Sequence, residues 1–109
     1  MREGLEKMLA RGVDNSLLRF GLGKACLDDG ELEAATEHLQ RCLAFDPAYS
    51  AAWKLLGQVC QRQGLSAEAR LAWENGLAVA RQRGDKQTEK EMLVFLRRLD
   101  RQEKPDQSA

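Results

Sequence analysis

A spacing of 34 residues at which the chain repeats itself constrains its fold more than any other feature. Leu22-Gly23-x-x-Cys26 returns as Leu56-Gly57-x-x-Cys60, Gly30 as Gly64, Ala35 as Ala69 and Leu43 as Leu77. A period of this length fits a two-helix unit that cannot bury its apolar face alone and must stack on a neighbour. Gly23 and Gly57 fall inside helices, where glycine costs about 1 kcal/mol relative to alanine. That cost needs an offset, which close approach of a paired helix would supply. Helix axes then approach to about 8 Å, the near end of the usual range. Leu22, Leu39, Leu43, Leu56, Trp73 and Leu77 are expected to fill the layers between helices. Trp53 is expected to cover the repeat interface with its indole N–H near a polar rim.

The register extends in both directions. One period back from Leu39, Cys42 and Leu43 stand Leu5, Met8 and Leu9, a single helical stripe. Residues 2–11 therefore read as the second helix of a repeat whose first helix is missing, ended by Gly12. The first full repeat occupies 16–49, with helices over 16–28 and 32–45. Asn15 or Ser16 is its cap, Asp29-Gly30 its turn, and Asp46-Pro47 its end, because the residue before proline leaves the helical region. The second repeat occupies 50–83, with Ser50 and Ser66 as candidate caps and Gly64 as its turn. After Gly84 the register slips. Asp85 caps a last helix over 86–101, whose Met92, Phe95, Leu96 and Leu99 make one apolar face. Such a helix closes the exposed end of a stack. Residues 102–109 read as a disordered tail, leaving one domain over 1–101.

The second copy, Trp53-x-x-Leu56-Gly57-x-x-Cys60 followed by Ala69-x-x-x-Trp73, carries the fullest pattern, and the first adds Leu22-Gly23, Ala35, Leu39 and Phe45-Asp46-Pro47. Together these residues resemble the tetratricopeptide repeat. The resemblance implies an all-α helical-repeat solenoid, an α-α superhelix of six helices: a half-repeat, two full units and a C-terminal capping helix. It also implies a small, repeat-only protein of bacterial type that binds other proteins and does no chemistry. In this family a small residue of the paired helix, here Ala35 or Ala69, would face the glycine, and the first helices line a concave groove. Carried onto this chain, the groove positions are Leu17, Phe20, Lys24, Leu27 and Asp28, then Ala51, Lys54, Gln58, Gln61 and Arg62. Phe20 and Leu27 would be apolar anchors beside the bases Lys24, Lys54 and Arg62. That mixture suits a protein or peptide with an acidic or C-terminal carboxylate group. One subset of the family grips the carboxylate of chaperone tails with Lys and Asn. Phe20 and Lys24 stand on the first helix here and Leu55 replaces the asparagine, so that clamp is not reproduced. The leading expectation is a scaffold or adaptor. The alternative is a structural subunit that self-associates, as a homo-oligomer, or completes a larger complex through its terminal helices.

Composition narrows the classes further. Lys plus Arg and Asp plus Glu number 17 each, which argues against a nucleic-acid binder. The charge is unevenly placed, with six acids and one base, Arg41, between Asp28 and Asp46. No stretch approaches the ~20 apolar residues of a membrane span. The three cysteines form no CxxC pair. They fall at repeat core positions and read as small buried hydrophobes rather than redox or zinc ligands. His38, the single histidine, reads as a surface residue on the helix face opposite the core. No nucleotide motif and no nucleophile–base set can be assembled. The expectation is therefore a cytoplasmic non-enzyme with no cofactor and no metal.

Overall fold

A computed structural model describes residues 2–103. Its helices are α1 (Arg2–Ala10), α2 (Ser16–Asp28), α3 (Leu32–Phe45), α4 (Ser50–Arg62), α5 (Ser66–Arg83) and α6 (Lys86–Glu103). The last helix takes in 102 and 103, which were expected in the tail; the rest of that segment lies outside the described residues.

One backbone device ends four of the helices. At Gly30 the glycine adopts φ 76°, its N–H bonds Leu27 O, and the next N–H, from Glu31, reaches back to Cys26 O. This is the paired Schellman closure, which needs a left-handed residue and so favours glycine. Gly12, Gly64 and Gly84 make the same two bonds. The device corrects one expectation. In the three-residue connections inside each repeat, the residue after glycine is at once the end of one helix closure and the cap of the next helix. Glu31 and Leu65 hold those places and give no side-chain cap bond, and Ser66 is already helical. Ser50 is likewise the first residue of α4, behind the cap residue Tyr49. Asp85 holds the place of Glu31 and Leu65 after Gly84, but its short carboxylate does cap: Asp85 Oδ1 accepts from Thr88 N at 3.1 Å, as Asn15 Oδ1 accepts from Leu18 N at 2.8 Å at the start of α2.

Consecutive helices pack pairwise, and two further contacts set the curvature. α2 meets α4 and α4 meets α6, whereas α3 and α5 have no Cα atoms within 8 Å of one another. The first helices therefore draw together on an inner side while the second helices splay on the outer side. The result is an elongated slab with a radius of gyration of 15.0 Å, against about 13 Å for a compact domain of this length.

The core runs between the two layers and is notched by glycines. A Cβ at Gly57 would lie 2.1 Å from the indole nitrogen of Trp73, and one at Gly23 would lie 2.7 Å from Leu39 Cγ. The notch thus receives the residue four places beyond Ala35 or Ala69, not the alanine itself; at Gly23 the alanine contributes only its carbonyl oxygen, at 3.5 Å. A third notch, Gly76, admits Trp53 and the sulfur of Met92. Trp73 is 1% exposed, donates its N–H to Lys54 O at 3.2 Å, and faces the Phe95 ring at 5.1 Å. It therefore joins α4, α5 and α6. Trp53 caps the interface between repeats, its N–H bonded to Pro47 O at 2.8 Å.

Candidate binding surface

The inner face is built from α2, α4 and α6. Leu17, Lys24 and Asp28 project from α2 into solvent, and Leu17 is 71% exposed. Ala51 and Arg62 are exposed on α4, with Lys54, Gln58 and Gln61 half-buried beside them. Two of the expected anchors are used by the fold itself. Leu27 is only 7% exposed, because α4 closes over that end of α2 and brings Arg62 Nη1 to 3.5 Å from the Leu27 carbonyl. Phe20 stacks on Tyr49 at the start of α4, with ring centroids 5.0 Å apart. It is half-buried, with the Tyr49 ring against one face.

The helix α6 adds a third wall that residue spacing alone did not assign to the groove. Lys90, Glu91, Val94, Phe95 and Arg98 line a shallow depression there. Glu91 Oε2 binds Lys54 Nζ at 2.6 Å, and Gln102 meets Gln61 at 3.4 Å. Lys54 is thereby neutralised inside the wall. Lys24, Arg62, Lys90 and Arg98 enter no ion pair among the described residues. Against these cations the inner face sets one unpaired carboxylate, Asp28. Cations lining a concave surface concentrate positive potential over it.

Other sites of chemical interest are accounted for by structure. Cys26, Cys42 and Cys60 are free and buried. Burial pushes the Cys42 thiol up to about 11, and it raises Cys26 and Cys60 as well. A thiol so placed is inert. Labelling of the native chain by a thiol reagent at neutral pH is expected to be roughly a hundredfold slower than in denaturant, since it must wait for opening. Rapid reaction of even one cysteine in the folded chain would contradict this placement.

His38 is half-buried rather than freely solvated. Arg19 Nη1 donates to its Nδ1 at 3.0 Å, and Arg19 is itself held by Asp14 at 2.7 and 2.9 Å. Burial first, and then the Arg19 charge, hold the imidazole below its usual range. It is an acceptor in a structural bridge from α2 to α3. No described helix is long and apolar enough to cross a membrane.

Comparison with known proteins agrees with this architecture. Residues 16–59 match the family model described as tetratricopeptide repeat. The chain is 68% identical, over 93% of its length and 96% of the relative's, to TPR repeat-containing protein PA0015 of Pseudomonas aeruginosa. Among solved structures it is similar to protein BPP2914 of Bordetella parapertussis, at 56% identity and a TM-score of 0.83, covering 94% of this chain and 89% of that one. MamA shares the fold at 22% identity and a TM-score of 0.69, covering 94% of this chain and 66% of that one. Repeats of this kind generally mediate protein–protein interaction and are typically non-enzymatic. On the match to its repeat and the near full-length likeness to a curated member, the chain belongs to the tetratricopeptide-repeat family.

Proposed function

We propose that the concave face of α2, α4 and α6 binds a protein or peptide segment carrying acidic side chains or a terminal carboxylate, and that the chain works as a small adaptor. The observation that carries this reading is the set of cations that enter no ion pair among the described residues, Lys24, Arg62, Lys90 and Arg98, with Gln58, Val94 and the half-buried Phe20 on the same three helices. The amide and the two apolar groups give contact area, and the cations select an anionic ligand. Three cysteines kept as thiols suit a reducing compartment, and we assign this binding to the cytoplasm.

The Lys54–Glu91 pair decides which variants test the face cleanly. Reversing Lys54 would set two carboxylates side by side and loosen α6, so loss of binding would be ambiguous. Lys24 and Arg98 are exposed and can be reversed without touching the core. Lys24→Glu with Arg98→Glu is expected to weaken a short acidic peptide by roughly tenfold or more, with an unchanged thermal midpoint. Equal affinity of variant and parent would remove the concave face from the account.

A second reading has its own observation. Leu17 at 71%, Met8 at 43% and Val13 at 38% exposure lie at the N-terminal end of the slab, and α1 has no buried residue. An apolar end of this kind suits self-association or completion of a larger complex. A single sedimenting species at all concentrations would count against it.

A further inference from the structure

The outer face carries an open cleft that the concave reading does not use. Because α3 and α5 splay apart, a cleft of about 320 Å³ opens between them. Its floor is the core side of α4, through Trp53, Leu56 and Cys60, and its far wall includes Leu71 and Leu65. Leu71 is 61% and Leu65 42% exposed, so the cleft presents leucines to water as well as an apolar floor.

A missing clamp explains why it is open. At one end of the slab, Arg2 of α1 reaches Asp29, 2.9 Å away, and Glu31 at the turn after α2. At the other end, Arg70 of α5 reaches Asp100 at 2.7 Å and Glu103 at the end of α6. Arg2, Thr36 and Arg70 are spaced by the repeat period of the sequence, so Thr36 holds the arginine's place in the middle repeat. Asp29 and Glu31 correspond in the same way to Gln63 and Leu65. The Thr36 hydroxyl donates to Leu32 O of its own helix at 3.0 Å and lies 3.4 Å from Gln63 Oε1. No long cation bridges this gap, and the cleft stays open above Leu56 and Cys60, which are themselves buried.

The charge around the cleft names the occupant. Glu68 lines it, and no Lys or Arg does. Glu33 and Glu74 are exposed on the same outer helices, three residues from Thr36 and Leu71 respectively. None of these three carboxylates enters an ion pair among the described residues. A second copy presenting this same face would bring acid against acid, which opposes a two-fold pairing. We propose that the cleft between α3 and α5 docks an amphipathic helix of a partner protein whose apolar stripe is flanked by lysine or arginine. Leucine-sized side chains at i, i+3, i+4 and i+7 would enter over Trp53, and the flanking bases would meet Glu33, Glu68 and Glu74.

The test uses the full chain and a helix-forming Leu/Lys peptide as long as α3, 14 residues, with a twin in which every Lys is replaced by Glu. Trp53 lines the cleft while Trp73 is buried, so indole emission reports the encounter. The Lys peptide is expected to shift that emission and to bind at least tenfold more tightly than its Glu twin. Leu71→Gln, at an exposed position, is expected to weaken it by roughly tenfold. Thr36→Arg with Gln63→Asp, which copies the clamp of the first turn, is expected to do the same by filling the cleft. Lys24→Gln with Arg98→Gln on the inner face is expected to leave it unchanged, which separates this proposal from the concave one. Circular dichroism confirms that each variant is folded. Equal binding of the two peptides, or binding indifferent to Leu71→Gln and to the transplanted clamp, overturns the proposal. Reversible dimerisation of the parent that Leu71→Gln abolishes would overturn it too, in favour of a second copy.

Discussion

Gly57→Ala is expected to lower the stability of the fold by about 1–2 kcal/mol, although alanine is the better helix former. The new methyl would lie 2.1 Å from the indole nitrogen of Trp73 and within 2.5 Å of two ring carbons. Overpacking of a rigid, buried ring costs about 1–3 kcal/mol and occasionally more. The gain in helix propensity returns about 1 kcal/mol of it. The thermal midpoint should fall by roughly 5–15 °C, since 1 kcal/mol moves a domain of this size by about 4–8 °C. Three other glycines provide the scale. At Gly23 the neighbour is the branched, movable end of Leu39 at 2.7 Å, and at Gly76 the contacts begin at 3.0 Å, so both alanines should cost less. At Gly4 nothing lies within 4 Å, and alanine there should leave the midpoint equal or higher. A midpoint for Gly57→Ala at or above the parent's would show that the helices are not held together through this notch.

Trp73→Ala is expected to cost about 3–5 kcal/mol, the range for removing a buried aromatic side chain. A domain of this kind has about 5–15 kcal/mol in total, so the variant should lie near its unfolding threshold. The loss is not confined to one contact. The ring fills the Gly57 notch, donates to Lys54 O at 3.2 Å and faces Phe95 of α6 at 5.1 Å. Truncation therefore loosens the third wall of the inner face together with the core. Trp73→Leu copies the first repeat, where Leu39 fills the notch, and should be the milder change. Urea unfolding of the pair checks this: similar midpoints for the alanine and leucine variants would contradict the role given to the notch.

These effects mark what the chain's own periodicity reveals and where it stops. The repeat spacing exposes every helix pair, because each unit must present the same apolar residues to its neighbours. It also exposes Gly23 and Gly57, because glycine inside a helix needs a packing reason. It hides which residue enters the notch. Leu39 and Trp73 arrive there through the crossing angle of two helices, which no single helix records, and Ala35 and Ala69 only permit the approach. Gly76 escapes notice for a related reason: its equivalent in the first repeat is Cys42, another small residue but not a glycine. The serines at 50 and 66 resemble caps by composition, yet each is already the first residue of its helix, and Tyr49 and Leu65 hold the cap positions.

The proposed binding face follows the same division. Leu17, Lys24, Asp28 and Arg62 stand on the inner surface because helical spacing alone puts them on one side of α2 and α4. Leu27 shares that spacing but is buried, since α4 closes over the C-terminal part of α2. Lys54 counts as a free cation until Glu91 is seen beside it, and Glu91 lies on the helix where the register slips. Lys90, Val94 and Arg98 join the groove only once α6 is seated against α4. The outer cleft depends on still longer relations. Arg2, Thr36 and Arg70 are equivalent by period, but the consequence of a threonine in the middle appears only when the two flanking arginines are seen gripping carboxylates.

The charges of the two faces differ in sign, and this has a consequence for ionic strength. Binding to the exposed cations of the inner face should weaken as salt rises, because the screening length falls to about 8 Å near physiological ionic strength. The apolar part of the outer cleft should be far less sensitive. The most direct measurement of the central claim is a map of backbone amide shifts while a short acidic peptide with a free C-terminus is added to the labelled chain. The inner face predicts shifts concentrated at Lys24, Gln58, Arg62, Val94 and Arg98, with Glu33, Leu71 and Glu74 on the outer face unmoved. Shifts confined to the outer face, or none with peptide at about 1 mM, where even weak binding registers, would contradict it.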